Sequence, residues 1–357
     1  MRIGLHTGYW TAGPPAGVAD AVVLADQAGL DSVWTAEAYG SDAFTPLAWW
    51  GARTHQIRLG TAVAQMYART PTATAMAAIT LDHLSGGRFI LGLGASGPQV
   101  VEGWYGQPYR RPLARTREYV DIVRQVFARE RPVSFDGDFF QLPLAEPDDA
   151  VRSDTTPMGL GRALRPTVHP LRRDLPIHLA AEGPKNIALS AEIADGWLPM
   201  FYAPRLDSEF CGLLEDGFAK RSDERLPRDQ FEISATVPVV VRDDVEEAAD
   251  AVRPFFALYI GGMGAKGANF HLEAVARLGY REVCDDVQRL YLEGRKEDAA
   301  RAIPTELVQD VALVGTLDDV ARGMAAWEQT AVTTMVLQAD QATLLALASS
   351  PLLAQAG

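Results

Sequence analysis

The spacing of apolar positions along the chain switches repeatedly between short continuous runs and longer segments with a helical period. Residues 57–63 and 89–93 are two such runs, and both end in small residues. Between them, residues 72–84 repeat apolar positions with the period of a helix, which Thr70 caps and Pro71 begins. Strands that are apolar throughout are typical of a parallel sheet covered on both faces. This segment therefore predicts a strand–helix–strand unit whose strand ends leave room for a flat ligand.

The same alternation continues through most of the chain and predicts eight strands separated by helices. The predicted strands lie at residues 2–7, 31–35, 57–63, 89–93, 176–181, 196–199, 234–241 and 333–339. The predicted helices lie at residues 18–28, 43–54, 72–84, 113–129, 186–194, 208–220, 317–329 and 341–349. Eight β/α units over about 250 residues, with insertions, indicate an α/β fold of the (β/α)8 TIM barrel class. A doubly wound sheet is the alternative.

Two stretches depart from the eightfold pattern, and we interpret both as insertions in a single barrel domain that spans residues 1–357. Residues 143–174 follow a predicted hairpin at 134–142 and carry Pro, Gly and charge without a clear period. A loop of this length predicts a functional lid after the fourth unit, with a disordered insert as the alternative. Residues 245 to about 310 predict an extra helical block before the last unit, with a helix break at 261–264.

Composition and charge narrow the classes of partner. The chain has 357 residues, 48% of them hydrophobic, and a formal net charge of −13. Such a balance argues against nucleic acid and anionic membranes, because both require a dense basic face. The two cysteines, Cys211 and Cys284, form no metal-ligand spacing, and no signal peptide or long apolar span is evident. We expect a cytoplasmic protein that acts on a small molecule.

A glycine-rich segment at residues 92–97 has the G-x-G-x-x-G order and follows a predicted strand. A dinucleotide site also requires an acidic residue about 20 positions later at the end of the next strand, where this chain has the middle of a helix. The motif therefore does not predict NAD binding. It indicates either a tight exit from the strand or a surface against which a ligand ring packs.

A second candidate site lies at residues 182–186, between a predicted strand and a predicted helix. Gly183 precedes Pro184 at the helix start, so backbone N–H groups and the helix dipole there could hold a phosphate. Lys185 adds a positive charge. By itself the segment is more typical of an ordinary turn between a strand and a helix.

Candidate chemistry lies where strands end, since the active sites of such barrels form at the C-terminal ends of the strands. Glu37 follows the second strand and could bind a ligand or move a proton, although it could also cap the next helix. His6, near the end of the first strand, is either a general acid or, by our preferred interpretation, a satisfied core histidine. Tyr39 is a further candidate proton donor.

Aromatic residues are dense near the predicted strand ends, and Tyr9, Trp10 and Trp197 are our candidates for lining an apolar substrate pocket. No cluster of His, Cys and Asp has metal-ligand spacing, and no Ser-His-Asp order stands out. We therefore expect that no metal takes part and that a cofactor carries the chemistry.

Three long stretches of the chain resemble the bacterial luciferase-like flavin and deazaflavin oxidoreductases, and within them the branch that uses coenzyme F420. These stretches are DSVWTAEAYGSDAFTPLAWW at 31–50, the segment from RLGTAV to VVEGW at 58–104, and AAEGPKNIALSAEIADGWLP at 180–199. The short pieces SGGRF and ADGW recur across the whole superfamily and do not distinguish between cofactors. The resemblance implies the barrel, the lid and a deazaflavin ring at the C-terminal strand ends, with FMN as the alternative cofactor.

The resemblance also implies roles for particular residues. Ala62 and Val63 would form a non-proline cis peptide behind the ring, Glu37 would bind the ring edge, and Gly183 with Pro184 would hold the cofactor phosphate. The full set of cofactor-binding residues implied in this way is Glu37, Ala62, Val63, Gln65, Ser96, Gly97, Ala181, Glu182, Gly183, Pro184 and Lys185. A homodimer is implied as well.

The function implied is F420-dependent hydride transfer between C5 of the deazaflavin and an organic substrate. Ala38 and Gly97 stand where the sugar-phosphate dehydrogenases of this branch have a histidine and a glutamate, which argues against sugar-phosphate oxidation. No strong general base follows Glu37, so reduction of an activated C=C, C=N or C=O bond is favoured over alcohol oxidation. The alternatives are an FMN-dependent monooxygenase that uses oxygen and a cofactor-binding protein without turnover.

Overall fold

Eight parallel strands form a closed barrel in the computed structural model, which describes residues 1–144, 157–264, 267, 269–348 and 350. The barrel strands are β1 (Arg2–His6), β2 (Ser32–Thr35), β3 (Arg58–Thr61), β4 (Phe89–Gly94), β5 (Ile177–Ala180), β6 (Gly196–Leu198), β7 (Glu232–Val241) and β8 (Thr334–Ala339). Each strand pairs in parallel with the next along the chain, and β8 pairs with β1 to close the barrel. The predicted (β/α)8 barrel is confirmed.

Helices surround the barrel and also form the second insertion. They are α1 (Val18–Gln27), α2 (Phe44–Gly51), α3 (Pro71–Ser85), α4 (Pro98–Gly103), α5 (Pro112–Ala128), α6 (Pro184–Ile193), α7 (Asp207–Phe218), α8 (Val245–Ala257), α9 (Phe270–Val275), α10 (Arg281–Leu292), α11 (Lys296–Arg301), α12 (Thr305–Val311), α13 (Leu317–Trp327) and α14 (Gln341–Ala348). Two π-helical turns, Leu258–Gly262 and Ala276–Tyr280, continue α8 and α9. No helix in the described part of the chain is long and apolar enough to cross a membrane.

The unit from β3 to β4 shows how local sequence sets these elements. Thr70 Oγ1 accepts a hydrogen bond from the amide of Ala73 at the start of α3, and Pro71 occupies the first helical position, where its missing N–H is not needed. Gly86 ends the helix in the left-handed region, with φ of 68°. All six residues of β4 are buried. The predicted cap, helix and apolar strand are confirmed here.

The barrel encloses a small core of its own, separate from the core between strands and helices. Its buried members are Trp34, Ile90, Leu198 and Val336. The indole of Trp34 fits only because β3 has a glycine beside it, since a Cβ on Gly60 would lie 2.2 Å from the indole carbons. This inner core fills the barrel beneath the C-terminal strand ends.

Three features of the strands and helices differ from the sequence-based expectation. The apolar run at 57–63 is strand only over Arg58–Thr61, and the chain then turns before Ala64–Gln65 pair with β4. A short strand at Leu313–Gly315, absent from the prediction, pairs with Val239–Val241 at the end of β7. Helix α4 was also not predicted, because six residues are too short to show a helical period.

The first insertion lies against the side and base of the barrel wherever it is described. A hairpin of Phe135–Asp136 and Gln141–Leu142 precedes the predicted lid, of which residues 145–156 fall outside the described chain. Arg172 pairs with Asp82 in α3 at 2.5 Å and donates to the carbonyl of Phe89. Residues 157–174 thus contact α3, and none of them lines the cavity described below.

The second insertion packs around a hydrophobic cluster formed mainly by α8 to α12 and the π-helical turns. Phe201, which follows β6, and Val240 in β7 belong to the same cluster. The insertion is therefore packed directly onto the C-terminal ends of two barrel strands. It covers the part of the barrel where the strand ends form a cavity.

Candidate active site

A cavity of about 580 Å³ opens at the C-terminal ends of the barrel strands. Its lining is predominantly apolar, with a few polar groups that converge on it. Twelve of the predicted site residues line it: Tyr9, Glu37, Ala62, Val63, Gln65, Ser96, Gly97, Ala181, Glu182, Gly183, Pro184 and Lys185. The structure thus brings together one predicted pocket residue and all eleven residues that the resemblance implied for the cofactor.

The floor of the cavity is formed by the exit of β3. The peptide bond between Ala62 and Val63 is cis, as predicted. Val63 packs towards β4, where a Cβ on Gly94 would lie 2.4 Å from its methyl carbon. Glycine at position 94 of the G-x-G-x-x-G segment is therefore needed for close packing at the exit from the strand. This supports a tight strand exit, which is one of the two interpretations of the segment given above. Ala62, Val63 and Leu198 join the inner core to the cavity.

Glu37 is held by two donors at the edge of this floor. Its Oε2 accepts hydrogen bonds from the amide of Gln65 at 2.8 Å and from the guanidinium of Arg69 at 2.8 Å. The side-chain amide of Gln65 donates in turn to the carbonyl of Glu37 at 2.9 Å. Gln65 Oε1 is buried and accepts no hydrogen bond from the described residues. A buried acceptor without a partner costs free energy, so it marks a place for a ligand donor.

A second part of the cavity wall begins with the turn between β5 and α6. Gly183 precedes α6 with φ of −82° and ψ of 147°, and no side chain caps the helix. A Cβ built on Gly183 would meet nothing within 4 Å, so the backbone there faces open space. The N-terminus of α6 thus presents backbone N–H groups and the positive end of the helix dipole beside Lys185.

A third wall comes from the segment after β4 and from α5. Ser96 has a positive φ of 57°, and its carbonyl accepts a hydrogen bond from the hydroxyl of Tyr109 at 3.2 Å. Burial raises the pKa of Tyr109 to about 12, with a smaller contribution from the neighbouring Tyr67. Tyr109 is therefore a neutral hydroxyl at pH 7. Gly97 stands at the start of α4, where a Cβ would approach Phe270 to 3.2 Å.

The second insertion closes the cavity from the side of β7. The residues of this insertion that line the cavity are Tyr259, Met263, Phe270 and His271. The hydroxyls of Tyr259 and Tyr9 share a hydrogen bond of 3.0 Å, and burial raises the pKa of both phenols. His271 Nδ1 lies 2.7 Å from Glu182 Oε1, while Glu182 Oε2 is buried without a hydrogen-bond partner in the described residues.

Four predicted site residues lie elsewhere. His6 is buried beneath the cavity, its Nδ1 accepts from the amide of Gly8, and burial lowers its pKa to about 4, opposed by a hydrogen bond to the backbone of Ala62. A neutral, engaged imidazole fits the core interpretation that the sequence favoured. Tyr39 is 57% exposed and does not line the cavity.

The two tryptophans predicted for the substrate pocket are placed differently from that prediction. Trp197 is 1% exposed and packs between Tyr202 and Phe210 in the outer core, while its indole N–H donates to the carbonyl of Ala181 at 2.8 Å. Trp10 packs against the same outer core and is absent from the cavity lining. The expectation that these two residues line the pocket is therefore corrected.

Several cavity residues were not identified from the sequence, and they come from strands, loops and helices in different parts of the chain. They are Tyr109, Pro112, Leu113, Met200, Thr236, Tyr259, Met263, Phe270 and His271. The last four of these residues belong to the site only because the second insertion contacts the strand ends. Among the described residues, no group of three or more His, Cys, Asp and Glu is placed to hold a metal ion.

Comparison with known proteins adds to this geometry. Residues 2–334 match the family model described as luciferase-like monooxygenase. The chain is 57% identical over 342 residues to the "Putative coenzyme F420-dependent oxidoreductase Rv3520c" of Mycobacterium tuberculosis (strain ATCC 25618 / H37Rv), and the match covers 96% of each chain. It is 27% identical to 5,10-methylenetetrahydromethanopterin reductase of Archaeoglobus fulgidus, over 88% of this chain and 87% of that one.

Among solved structures, the coenzyme F420-dependent tetrahydromethanopterin reductase from Methanopyrus kandleri shares the fold. The two structures superpose with a TM-score of 0.76 over 98% of each chain. The sequences are 19% identical, so this likeness concerns the fold alone.

Proposed function

The chain belongs to the luciferase-like monooxygenase family, and on that premise we propose that it is an oxidoreductase that depends on coenzyme F420. It transfers a hydride between the cofactor and an organic substrate, and it reduces an activated C=C, C=N or C=O bond. The relative from Mycobacterium tuberculosis, whose match covers 96% of each chain, is named for the same cofactor and supports that choice. The observation that carries the proposal is the cavity, which is lined both by an open phosphate cradle and by an unpartnered acceptor.

The residues present fit such a cofactor at both ends. The open space in front of Gly183 and the uncapped N-terminus of α6 suit an anionic phosphate, since backbone N–H groups there lack intrahelical acceptors. Lys185 lies at the same end and adds a positive charge. At the other end, the free Oε1 of Gln65 suits an N–H donor of a heterocycle.

When bound, the deazaflavin supplies a hydride at C5. The chain's own residues bind and orient it: Val63 supports one face from the floor, while Glu37 fixes the backbone of Gln65 and the side chain of Arg69. Glu37 Oε2 already accepts two N–H donors, so its role here is to position rather than to release a proton. The apolar lining excludes water from the remaining space, which strengthens the polar contacts inside.

Reduction is favoured over oxidation for two reasons. Glu37 Oε2, at the edge of the floor, accepts from both Arg69 and the amide of Gln65, so this oxygen is not placed to remove a proton from an alcohol. The relative from Archaeoglobus fulgidus is named as a reductase, which supports the same direction. The proposed substrates are compounds with an electron-poor double bond.

Titration with the two cofactors tests the proposal. The protein at micromolar concentration should quench the fluorescence of F420 or shift its spectrum, and should bind FMN more weakly. Reduced F420 should then be oxidised on addition of 2-cyclohexen-1-one or another member of a panel of activated double bonds. Tight binding of FMN without any response from F420 would contradict the proposal and would favour the oxygen-using monooxygenase. Binding of F420 without turnover of any acceptor would favour a cofactor-binding protein.

Oligomeric state and location are proposals as well. A homodimer is the form implied by the resemblance, and a cytoplasmic location is the expectation from the sequence. Sedimentation of the purified protein at several concentrations measures the first, and a monomer at all of them would contradict it.

A further inference from the structure

The pair formed by Glu182 and His271 is the one contact between two titratable side chains that joins the second insertion to the turn that begins α6 among the hydrogen bonds described. Glu182 Oε1 lies 2.7 Å from His271 Nδ1, and the side chains are 10% and 12% exposed. Both residues line the cavity. Glu182 Oε2 is buried and has no partner among the described residues. A carboxyl group and an imidazole are thus held together at the wall of the site that the proposed function assigns to substrate and cofactor.

The imidazole is oriented by its neighbours so that one nitrogen remains for the cavity. Tyr259, Phe270 and Phe201 pack against the ring, with centroids 4.7, 4.3 and 6.2 Å away, and the Tyr259 and Phe201 rings stand nearly perpendicular to it. Nδ1 is used by Glu182, and within the described chain no hydrogen bond is formed by Nε2. A ring fixed in this way presents Nε2 to whatever the cavity holds.

We propose, on the basis of the proposed function, that His271 is the proton donor for substrate reduction and that Glu182 is its positioning residue. As the carbon of an activated double bond receives the hydride from the reduced cofactor, its heteroatom or conjugated oxygen takes the proton from Nε2. The N–H bond breaks and its electron pair stays on the imidazole, while the hydride supplies both electrons of the new C–H bond. Solvent then restores the proton to Nε2 before the next turnover.

Other groups in the cavity are less suited to this role. Glu37 Oε2 accepts from Arg69 and from the amide of Gln65, so that oxygen serves as an acceptor. Tyr9 and Tyr259 bond to each other, and burial raises the pKa of both, which makes the phenols weaker acids. His271 is the only histidine among the cavity-lining residues, and histidine is the side chain most often used for proton transfer.

Glu182 acts through His271 rather than on the substrate. A carboxylate that accepts the Nδ1 proton fixes which nitrogen faces the cavity and stabilises the positive charge of the imidazolium. The groups that face the pair from neighbouring elements are Tyr259 and Phe201 around the ring and Arg277, which donates to the backbone carbonyl of Glu182. Arg277 therefore fixes the backbone of the same turn without contacting the imidazole.

Binding of 4-nitrophenol to the protein without cofactor tests the pair independently of turnover. An imidazolium at Nε2 favours the phenolate, so at about pH 6 the bound probe should show the phenolate absorption band in the wild-type protein. In His271→Gln, whose amide can still donate to Glu182, the bound probe should return to the phenol spectrum. Arg277→Gln should keep the phenolate band. No phenolate band in the wild-type protein, or the same band in His271→Gln, would overturn the proposal.

Kinetics supply the second test. His271→Gln should lower kcat for reduction of 2-cyclohexen-1-one by reduced F420 by roughly 100- to 10 000-fold, with the affinity for F420 within a factor of about three. Glu182→Gln should lower kcat by about 10- to 100-fold and shift the pH profile, whereas Arg277→Gln should leave that profile unchanged. An unchanged kcat in His271→Gln would overturn the proton-donor role while leaving the proposed function intact. Failure of the wild-type protein to bind F420 would overturn the proposed function, and the 4-nitrophenol spectra would still decide the role of His271.

Discussion

The two ends of the barrel place their buried polar groups in different surroundings. At the N-terminal end, Arg58 contacts Asp31 at 2.6 Å and Glu232 at 3.0 Å, so these charges are paired within the protein, and an unpartnered group such as Thr334 Oγ1 is enclosed. At the C-terminal end, Gln65 Oε1 and Glu182 Oε2 are buried without a hydrogen-bond partner in the described chain, and both residues line the cavity. The same strands thus lead from a self-contained end, whose charges pair within the protein, to an end whose unpartnered groups lie at the space for a ligand.

This difference indicates which polar groups maintain the fold and which prepare the site. A buried polar atom without a partner costs about 1–3 kcal/mol, and a protein has no structural reason to keep several of them around one cavity. A ligand that supplies the missing partners recovers that cost as binding free energy. We therefore expect substitutions at the C-terminal end to change binding more than stability, and those at the N-terminal end to do the reverse.

The largest expected effect is on cofactor binding at the start of α6. In Gly183→Val the new side chain enters the open space in front of the helix, and φ of −82° with ψ of 147° suits valine, so the fold should be retained. Loss of one or two charged hydrogen bonds, at about 1.5–3 kcal/mol each, should weaken F420 binding by about 10- to 1000-fold. Fluorescence titration measures the affinity.

A matched control is Gly212→Val, because Gly212 lies in α7 outside the cavity and a Cβ there also meets nothing within 4 Å. That variant should bind F420 like the wild-type protein. Unchanged affinity in a folded Gly183→Val protein would return the turn at 182–186 to the ordinary strand–helix turn that its sequence alone suggested.

The next effect is on stability at the N-terminal end. Arg58→Met removes the less exposed of the two cations that contact Asp31 and Glu232, and leaves these partly buried carboxylates with Arg2. The free energy of unfolding should fall by about 3 kcal/mol, while the affinity for F420 should not change. In Arg53→Ala, which breaks the exposed pair with Asp20, the loss should stay below about 0.5 kcal/mol. Urea unfolding monitored by circular dichroism measures both, and equal losses would contradict the comparison.

Much of this architecture could be predicted because the barrel strands are short and strongly apolar. The six residues of β4 are all buried, and the run at 89–93 predicted them almost to the residue. Trp197 shows where such reasoning fails. Neighbouring strand residues point to opposite sides, so Leu198 faces the cavity while Trp197 faces Tyr202 and the outer core. A strand of three residues is too short for the alternation of its side chains to predict which side each residue faces.

The site was predictable where the chain contributes strand ends, and not where it contributes an insertion. Glu37, Val63 and Gly183 follow barrel strands, so the topology alone brings them to one end. His271 lies in a helix of six residues whose position depends on packing of α8 to α12 against Phe201 and Val240. No local period in the sequence carries that information. Because no local pattern reveals this packing, the sequence led us to expect that a lid at residues 143–174, rather than the second insertion, would cover the cavity.

A smaller effect concerns pH. Burial lowers the pKa of His178 from 6.5 to about 4, against an opposing contribution from the charge of Glu232. Between these two values the unfolded chain binds more protons than the folded one, so stability is present above about pH 6.5 and is lost as the pH falls towards 4. At about pH 5 the loss from this one group should be roughly 2 kcal/mol relative to pH 8.

His178→Gln tests that expectation, because glutamine does not titrate. The difference in unfolding free energy between about pH 8 and pH 5 should shrink by about 2 kcal/mol in this variant, whatever its stability at either pH. The same substitution at the exposed His55 is the control and should leave the difference as in the wild-type protein. Equal pH dependence in wild type and His178→Gln would show that this imidazole does not contribute through burial.

The smallest effect separates two kinds of unpartnered group. Gln65 Oε1 has no partner but faces the cavity, whereas Thr334 Oγ1 has none and is enclosed at the start of β8. Gln65→Leu removes the free acceptor together with the hydrogen bond to the Glu37 carbonyl, so the two changes in stability should nearly cancel. F420 binding should weaken by about 3- to 10-fold, the equivalent of one neutral hydrogen bond.

Thr334→Val is the matched variant, because it replaces an enclosed, unpartnered hydroxyl by a methyl group of similar size. Its unfolding free energy should be equal to or higher than that of the wild-type protein, and its affinity for F420 should be unchanged. If instead Gln65→Leu bound F420 normally while Thr334→Val lost stability, the free acceptor at the cavity would serve no ligand and the enclosed hydroxyl would have a partner. The unpartnered groups at the two ends of the barrel would then not differ in the way proposed. That result would contradict the distinction between a self-contained end and an end that a ligand completes.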